Sequence, residues 1–520
     1  MSQLLAASYD SVPYPGISVT RSQPDLLACV AHLRGMQPAP PARARVLEIG
    51  CGLGQNLLPL AERYPEARFL GIDLSSRQIA VARAAAGDLN LANIEFRQQD
   101  FLDLASAEKF DYVLVHSVYS WVDQPHREAL LPLVHDLLAP QGVGYISYKA
   151  YPGWRIQDLF RDLMRYDARV ARTPGEVIAR ARMALDFMHQ CFGSTNDYDQ
   201  FTQAHLAPLL KLNDAFLWHD FLSSVSHPVY FQEFMQQLGA SGLQLLGDAQ
   251  FGIRPSDVLD AESERQLAQL TPDPIMQEQL RDVVRNRALR QALVVQADVR
   301  LATTIHSEQL QGLRLLAPLT PEGPVNLTPG EITNFLTPAG IRVGSPLPLA
   351  KAALAHLGSI WPASISIADL QSAAADRIRQ ARLPAPSDEE LHRMADNMVQ
   401  CIAGQVVQLQ HGEDQFVTTL SDRPVASPMV RWQASRGEFV TNRRHEAIHL
   451  DLFSRFVAEL LDGTRDRQAL LEAALAAVAD GRLVVIDGQS QQPLADSRQR
   501  IEVALPQTLE RFAQLATLIA

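Results

Sequence analysis

The chain has 520 residues, 47% of them apolar and 20% charged, with a formal net charge of −12. That length exceeds one ordinary hydrophobic core and calls for two or three domains. The acidic balance argues against a general binder of phosphate backbones, and no apolar run reaches the roughly 18 residues that cross a bilayer. The start has no basic stretch followed by an apolar one, as an export signal would need. Four scattered cysteines (Cys29, Cys51, Cys191, Cys401) form no CxxC pair, so a reducing, cytoplasmic setting is expected.

Residues 43–150 alternate apolar runs with helical stretches, the pattern of a parallel α/β sheet. Strands are expected from Arg45 to Gly50, Arg68 to Asp73, Ile94 to Asp100, Phe110 to His116 and Val143 to Tyr148. Helices are expected from Asn56 to Tyr64, from Ser75 or Ser76 to about Leu89, and from Arg127 to Leu138. The stretch from Ile156 to about Gln236 reads as mostly helical. Leu243–Gly247 and Gln291–Gln296 then supply the last two strands of the same sheet, which leaves the helices between them as an insertion over its carboxyl edge, where such sheets bind ligands. Text rich in Pro and Gly from Pro318 to Pro348 reads as a linker or irregular junction. Helices follow at Leu349–Leu357, Ile367–Arg379, His449–Leu461 and Arg467–Ala479. The expected division is an N-terminal segment (1–42) covering the site, an α/β core (43–300) with its insertion at about 155–240, a middle helical or winged-helix-like domain (301–400) and a C-terminal domain (401–520).

The central signal is EIGCGLG over residues 48–54, directly after a strand and before a helix. Glycines there make a tight turn and let a ligand approach the backbone. Asp73 closes the second strand, where a carboxylate can accept from both ribose hydroxyls. Asp100 closes the third, placed to accept from an adenine amine, with Phe101 beside it for the adenine face. The spacing is not that of a dinucleotide fingerprint, and Glu48 suits a cationic sulfonium and amino-acid group better than a pyrophosphate. The expected cofactor is S-adenosylmethionine, leaving S-adenosylhomocysteine. The expected binding set is Tyr14, Glu48, Gly50, Cys51, Gly52, Gly54, Asn56, Asp73, Leu74, Gln78, Gln99, Asp100, Phe101 and His116.

The acceptor side is expected after the fourth and fifth strands. His116, Tyr119 and Trp121 follow one, and Tyr148, Tyr151 and Trp154 follow the other. Together they suggest an aromatic slot for an amine. An amine must be neutral to attack a methyl group, and His116 or a tyrosine is the expected base. No His or Cys spacing indicates a metal. There is no GxSxG nucleophile elbow and no phosphate loop.

The segments YD (9–10), PYP (13–15), VLEIGCGLGQN (46–56), HSVYSW (116–121) and YKAYPGW (148–154) resemble bacterial class I methyltransferases that carry a methyltransferase regulatory domain. The rickettsial protein lysine methyltransferases are the best known of these. Further similarity lies at His219, Asp220, 228–231, 287–293, 424–433 and 461–464. The resemblance implies a Rossmann-like seven-stranded core with a helical insertion, a mostly helical, winged-helix-like C-terminal region, and methylation of protein lysine amines. Lys149 stands where the family commonly has Asn; its charge would disfavour a protonated lysine. A small-molecule methyltransferase is the alternative reading, and a non-catalytic binding or regulatory protein the second. The partner is then a methyl acceptor, protein or small molecule, rather than nucleic acid or membrane; a homodimer is open.

Overall fold

The computed structural model describes residues 2–104, 108–193, 196–252, 258–483 and 497–520. Its centre is a sheet built from β1 (Arg45–Ile49), β2 (Arg68–Asp73), β3 (Ile94–Gln98), β4 (Phe110–Val115), β5 (Leu138–Tyr151), β6 (Val229–Tyr230), β7 (Leu243–Asp248) and β8 (Leu289–Gln296). The order is β3-β2-β1-β4-β5-β8-β7, with the two-residue β6 beside the end of β5. Strands β1 to β5 run parallel, and β8 runs antiparallel to both its neighbours. The seven-stranded α/β core expected from the periodicity is present, and the short β6 adds an eighth strand.

The strands are nearly continuous apolar runs because helices cover both faces. Val46, Phe69, Tyr112 and Leu293 pack into one core; Leu47, Ile49, Val113 and Val294 pack into the other. Successive side chains point to opposite faces, so both cores are built from the same strands. Three more cores follow. Phe160, Met164, Leu185 and Leu217 join the helices inserted after β5. Leu315, Leu354, Ile378 and Met398 form the middle core, and Val430, Val457, Leu470 and Phe512 form the C-terminal one.

Two sequence expectations need correction. The supposed linker at 318–348 holds a three-stranded antiparallel sheet (Thr320–Pro321, Thr333–Leu336, Arg342–Ser345), because Thr333 and Phe335 alternate inward beneath the polar loops. The helix expected from His449 begins at Leu452 instead, where Asp451 caps it by accepting from Ser454 N at 2.7 Å. Residues 447–449 pair with Phe439–Thr441 as a hairpin. No helix among the described residues is long and apolar enough to cross a membrane.

Candidate active site

The loop between β1 and the helix Leu57–Arg63 turns through three positive φ angles, at Gly50, Gly52 and Gly54. At Gly50 (φ 76°) a Cβ would lie 2.6 Å from the Val118 side chain; at Gly54 (φ 74°) it would lie 2.6 Å from the Phe96 ring. Only glycine fits these turns. The loop opens onto a cavity of about 400 Å³ at the carboxyl edge of the sheet, a size that suits a small-molecule ligand.

Tyr14, Glu48, Gly50, Cys51, Gly52, Asn56, Asp73, Leu74, Gln78, Gln99, Phe101, His116 and Trp121 all line this cavity. The Asp73 carboxylate accepts from Gly52 N at 2.9 Å and Ser75 N at 2.8 Å. Burial raises its pKa against these donors. Glu48 is buried; its Oε1 accepts from Asn56 Nδ2 at 2.8 Å. Its Oε2, like Gln78 Oε1, has no hydrogen-bond partner among the described residues. Burial pushes the Glu48 pKa up to about 8. Two buried acceptors without donors cost free energy unless a ligand supplies N–H or O–H groups. An amino-acid ammonium at Glu48 and ribose hydroxyls at Asp73 are the groups this donor set fits.

The N-terminal helix Ser2–Ser11 lies against the same cavity. Tyr9 stacks on His219 with centroids 4.3 Å apart, and His219 Nε2 donates to Val12 O at 2.6 Å. Arg77 Nη1 donates to Asp10 O at 2.9 Å.

Other expected residues lie elsewhere. Gly54 and Asp100 are outside the cavity wall; Asp100 Oδ2 meets His126 Nε2 at 3.0 Å, and its Oδ1 accepts from Leu102 N. Tyr119 and Tyr148 are fully buried, packed on Phe234 of the helix Phe231–Ala240, and the Tyr119 hydroxyl is bonded to Gln237. Tyr151 donates to Asp158 Oδ2 at 3.0 Å. Tyr119 and Tyr148 are therefore core packing, while Tyr151 is half-buried. Trp154 stays near the site, but through Lys149: the Lys149 Nζ lies 4.4 Å from the Trp121 ring centre and 4.3 Å from that of Trp154. It also donates to Asp220 O at 3.0 Å and Ser226 Oγ at 3.1 Å. Burial drives the Lys149 pKa down and the Asp220 pKa up. His116 is half-buried, with its Nδ1 3.2 Å from the Tyr145 hydroxyl, and desolvation lowers its pKa to about 4, which weakens it as a base.

Asp220 and His219 line the cavity and were not expected as site residues. They sit in a π-helical turn, Leu217–Leu222, a local form often found at functional sites. Their only sequence signal is the resemblance at 219–220.

Comparison with known proteins agrees with this geometry. A methyltransferase domain model matches residues 46–142, a predicted methyltransferase regulatory domain matches 213–296, and a PKMT C-terminal winged helix domain matches 422–517. The chain is an S-adenosylmethionine-dependent methyltransferase. It is similar to rickettsial PKMTs along its length. PKMT2 from Rickettsia typhi in complex with AdoHcy has a TM-score of 0.86 and 25% identity, covering 98% of this chain and 100% of that one. A Rickettsia prowazekii protein is 28% identical over 98% of this chain and 93% of its own length. A second from that organism is 33% identical over 46% of this chain and 96% of its own.

Tyr119→Phe should cost only ~0.5–1.5 kcal/mol of stability, the worth of one hydrogen bond, with methyl transfer within about twofold of wild type. Denaturant unfolding and initial rates check this; a large loss of rate at unchanged stability would return Tyr119 to the reaction.

Proposed function

We propose that this enzyme transfers a methyl group from S-adenosylmethionine to the side-chain amine of a protein lysine. The observation that carries the acceptor is the wall of the donor cavity formed by Trp121 and Asp220. Lys149 fills the gap behind it, between Trp121 and Trp154, so an acceptor amine would meet Trp121 and Asp220 from the cavity side. Indole faces attract an alkylammonium, and the neighbouring carboxylate supplies the counter-charge. The PKMT2 and PKMT winged-helix likenesses support the same acceptor.

In this reading Tyr14, Glu48, Gly50, Cys51, Gly52, Asn56, Asp73, Leu74, Gln78, Gln99 and Phe101 hold the donor. Trp121 orients the acceptor, and Asp220 takes its proton. When bound, the donor supplies an electrophilic methyl carbon. The neutral amine attacks it; the N–C bond forms as the C–S bond breaks, and S-adenosylhomocysteine leaves. The ammonium proton passes to Asp220, whose raised pKa makes it a better proton acceptor than an exposed carboxylate. The surrounding protein mainly positions and desolvates the pair.

Glu48 gives donor binding a pH dependence of definite sign. In the free protein burial pushes its pKa up to about 8, which favours the protonated form. Pairing with the donor ammonium favours the carboxylate, so binding releases a proton. Affinity should therefore rise between pH 6 and pH 7.5, by up to about tenfold per pH unit. Calorimetry in buffers of different ionisation enthalpy should show this release, and Glu48→Gln should abolish it. A flat affinity with no proton release would contradict the role given to Glu48.

Asp220→Asn should lower kcat on a lysine-containing acceptor by roughly 10²–10⁴-fold, with donor affinity within about twofold. Unchanged kcat would remove Asp220 from the proton transfer.

We further propose a homodimer through the inserted helices. Tyr166, Val170, Met183, Phe187 and Tyr198, on and beside these helices, are all more than half exposed, and a dimer interface here would cover them. Light scattering should give twice the 57.5 kDa chain mass, falling towards one chain in Phe187→Glu; a wild-type monomer would overturn it.

A further inference from the structure

We infer that the C-terminal domain is a working part of the donor site, and that His445 is a positioning residue for Glu48. This rests on the donor reading above. The hairpin of Phe439–Thr441 and Ala447–His449 carries a tight loop over residues 442–446, within the region matched by the winged helix domain. The loop tip is driven into the methyltransferase core. His445 is buried at a positive φ of 61°, and its Nε2 is 2.8 Å from Asn56 Oδ1.

Asn56 has every hydrogen-bonding position filled. Its Oδ1 also accepts from Val19 N at 2.9 Å, while its Nδ2 donates to Ser22 Oγ at 3.0 Å and to Glu48 Oε1 at 2.8 Å. An amide has two donor and two acceptor places, so this pattern fixes which end faces Glu48. Oδ1 can only accept, so His445 must present a protonated Nε2. Burial keeps the ring neutral, with its pKa down to about 3. Its other nitrogen therefore carries no proton, and the tautomer does not change across the working pH range.

The same loop grips the strip of chain that walls the donor cavity. Thr20 Oγ1 donates to His445 O at 2.9 Å, and Thr441 Oγ1 donates to Ser18 Oγ at 3.2 Å. Ser18, Val19 and Thr20 line the cavity beside Glu48 and Asn56. Arg443 pairs with Glu62 of the core, both largely buried, and Arg444 covers the Trp361 ring of the middle region at 4.3 Å. A residue 389 positions from Asn56 thus completes the hydrogen-bond set that presents one oxygen of Glu48 and leaves the other free for the donor ammonium.

The Asn56 bond lowers the Glu48 pKa against its burial. Loosening Asn56 should raise that pKa, a change that a purely structural role would not produce. In the full-length enzyme, His445→Ala and His445→Phe should weaken S-adenosylhomocysteine binding by about tenfold or more. They should raise KM for the donor, leave kcat within about twofold, and shift the pH dependence of binding to higher pH. His445→Gln, which keeps an N–H, should recover most of the affinity. Thermal unfolding identifies variants that have not folded; His445→Phe preserves the ring shape, so it carries the test if the alanine variant is lost. Folded variants with wild-type affinity and an unmoved pH profile would overturn the role of His445. Failure of the wild-type enzyme to bind S-adenosylhomocysteine would instead overturn the donor reading itself.

Discussion

Glu48 stands at the carboxyl end of a strand buried on both faces, and its carboxylate has been removed from water before any ligand arrives. One oxygen is held by Asn56 and the other has no partner among the described residues. A buried, half-satisfied carboxylate is unfavourable by itself, and it relaxes by holding a proton. A cationic amino-acid group bonding both to the free oxygen and to the charge removes the penalty. Much of the surrounding structure follows from that constraint. The glycine turn brings the backbone close, the N-terminal helix closes over the cavity, and two distant segments fix the single amide that orients the acid.

Lys149 and Asp220 obey the same rule of desolvation. Lys149 lies at the end of β5, enclosed by Trp121, Trp154 and the turn that carries Asp220. Burial acts on an amine and a carboxylate in opposite senses, lowering one pKa and raising the other. A group so placed exchanges protons more readily near neutral pH than it would in water.

The sheet and the donor loop were legible because both are local. Apolar alternation marks β1 to β5, and the glycines of residues 48–54 announce their turn. Asp73 was placed by strand length alone. Tyr119 and Tyr148 were misread because sequence spacing does not say which side of a strand end a later helix will cover; Phe234, on a helix well after both, takes them into the core. Asp220 was hidden for a similar reason, since its value depends on a π-helical turn that packs back over Trp121. His445 had no sequence signal, because its meaning lies wholly in a contact with Asn56 across the chain. Asp100 closes its strand as expected, but it lies outside the cavity wall, bonded to His126 and the backbone.

The most direct measurement of the central claim is the fate of the methyl group. The enzyme would be incubated with S-adenosylmethionine carrying a ¹³C methyl and a mixed pool of proteins and metabolites, and the labelled atom located by mass spectrometry and NMR. Label on lysine Nζ of polypeptides, lost in Asp73→Ala and Asp220→Asn, is the expected result. Label only on oxygen or in low-mass products would contradict the lysine acceptor and assign the cavity to a small molecule.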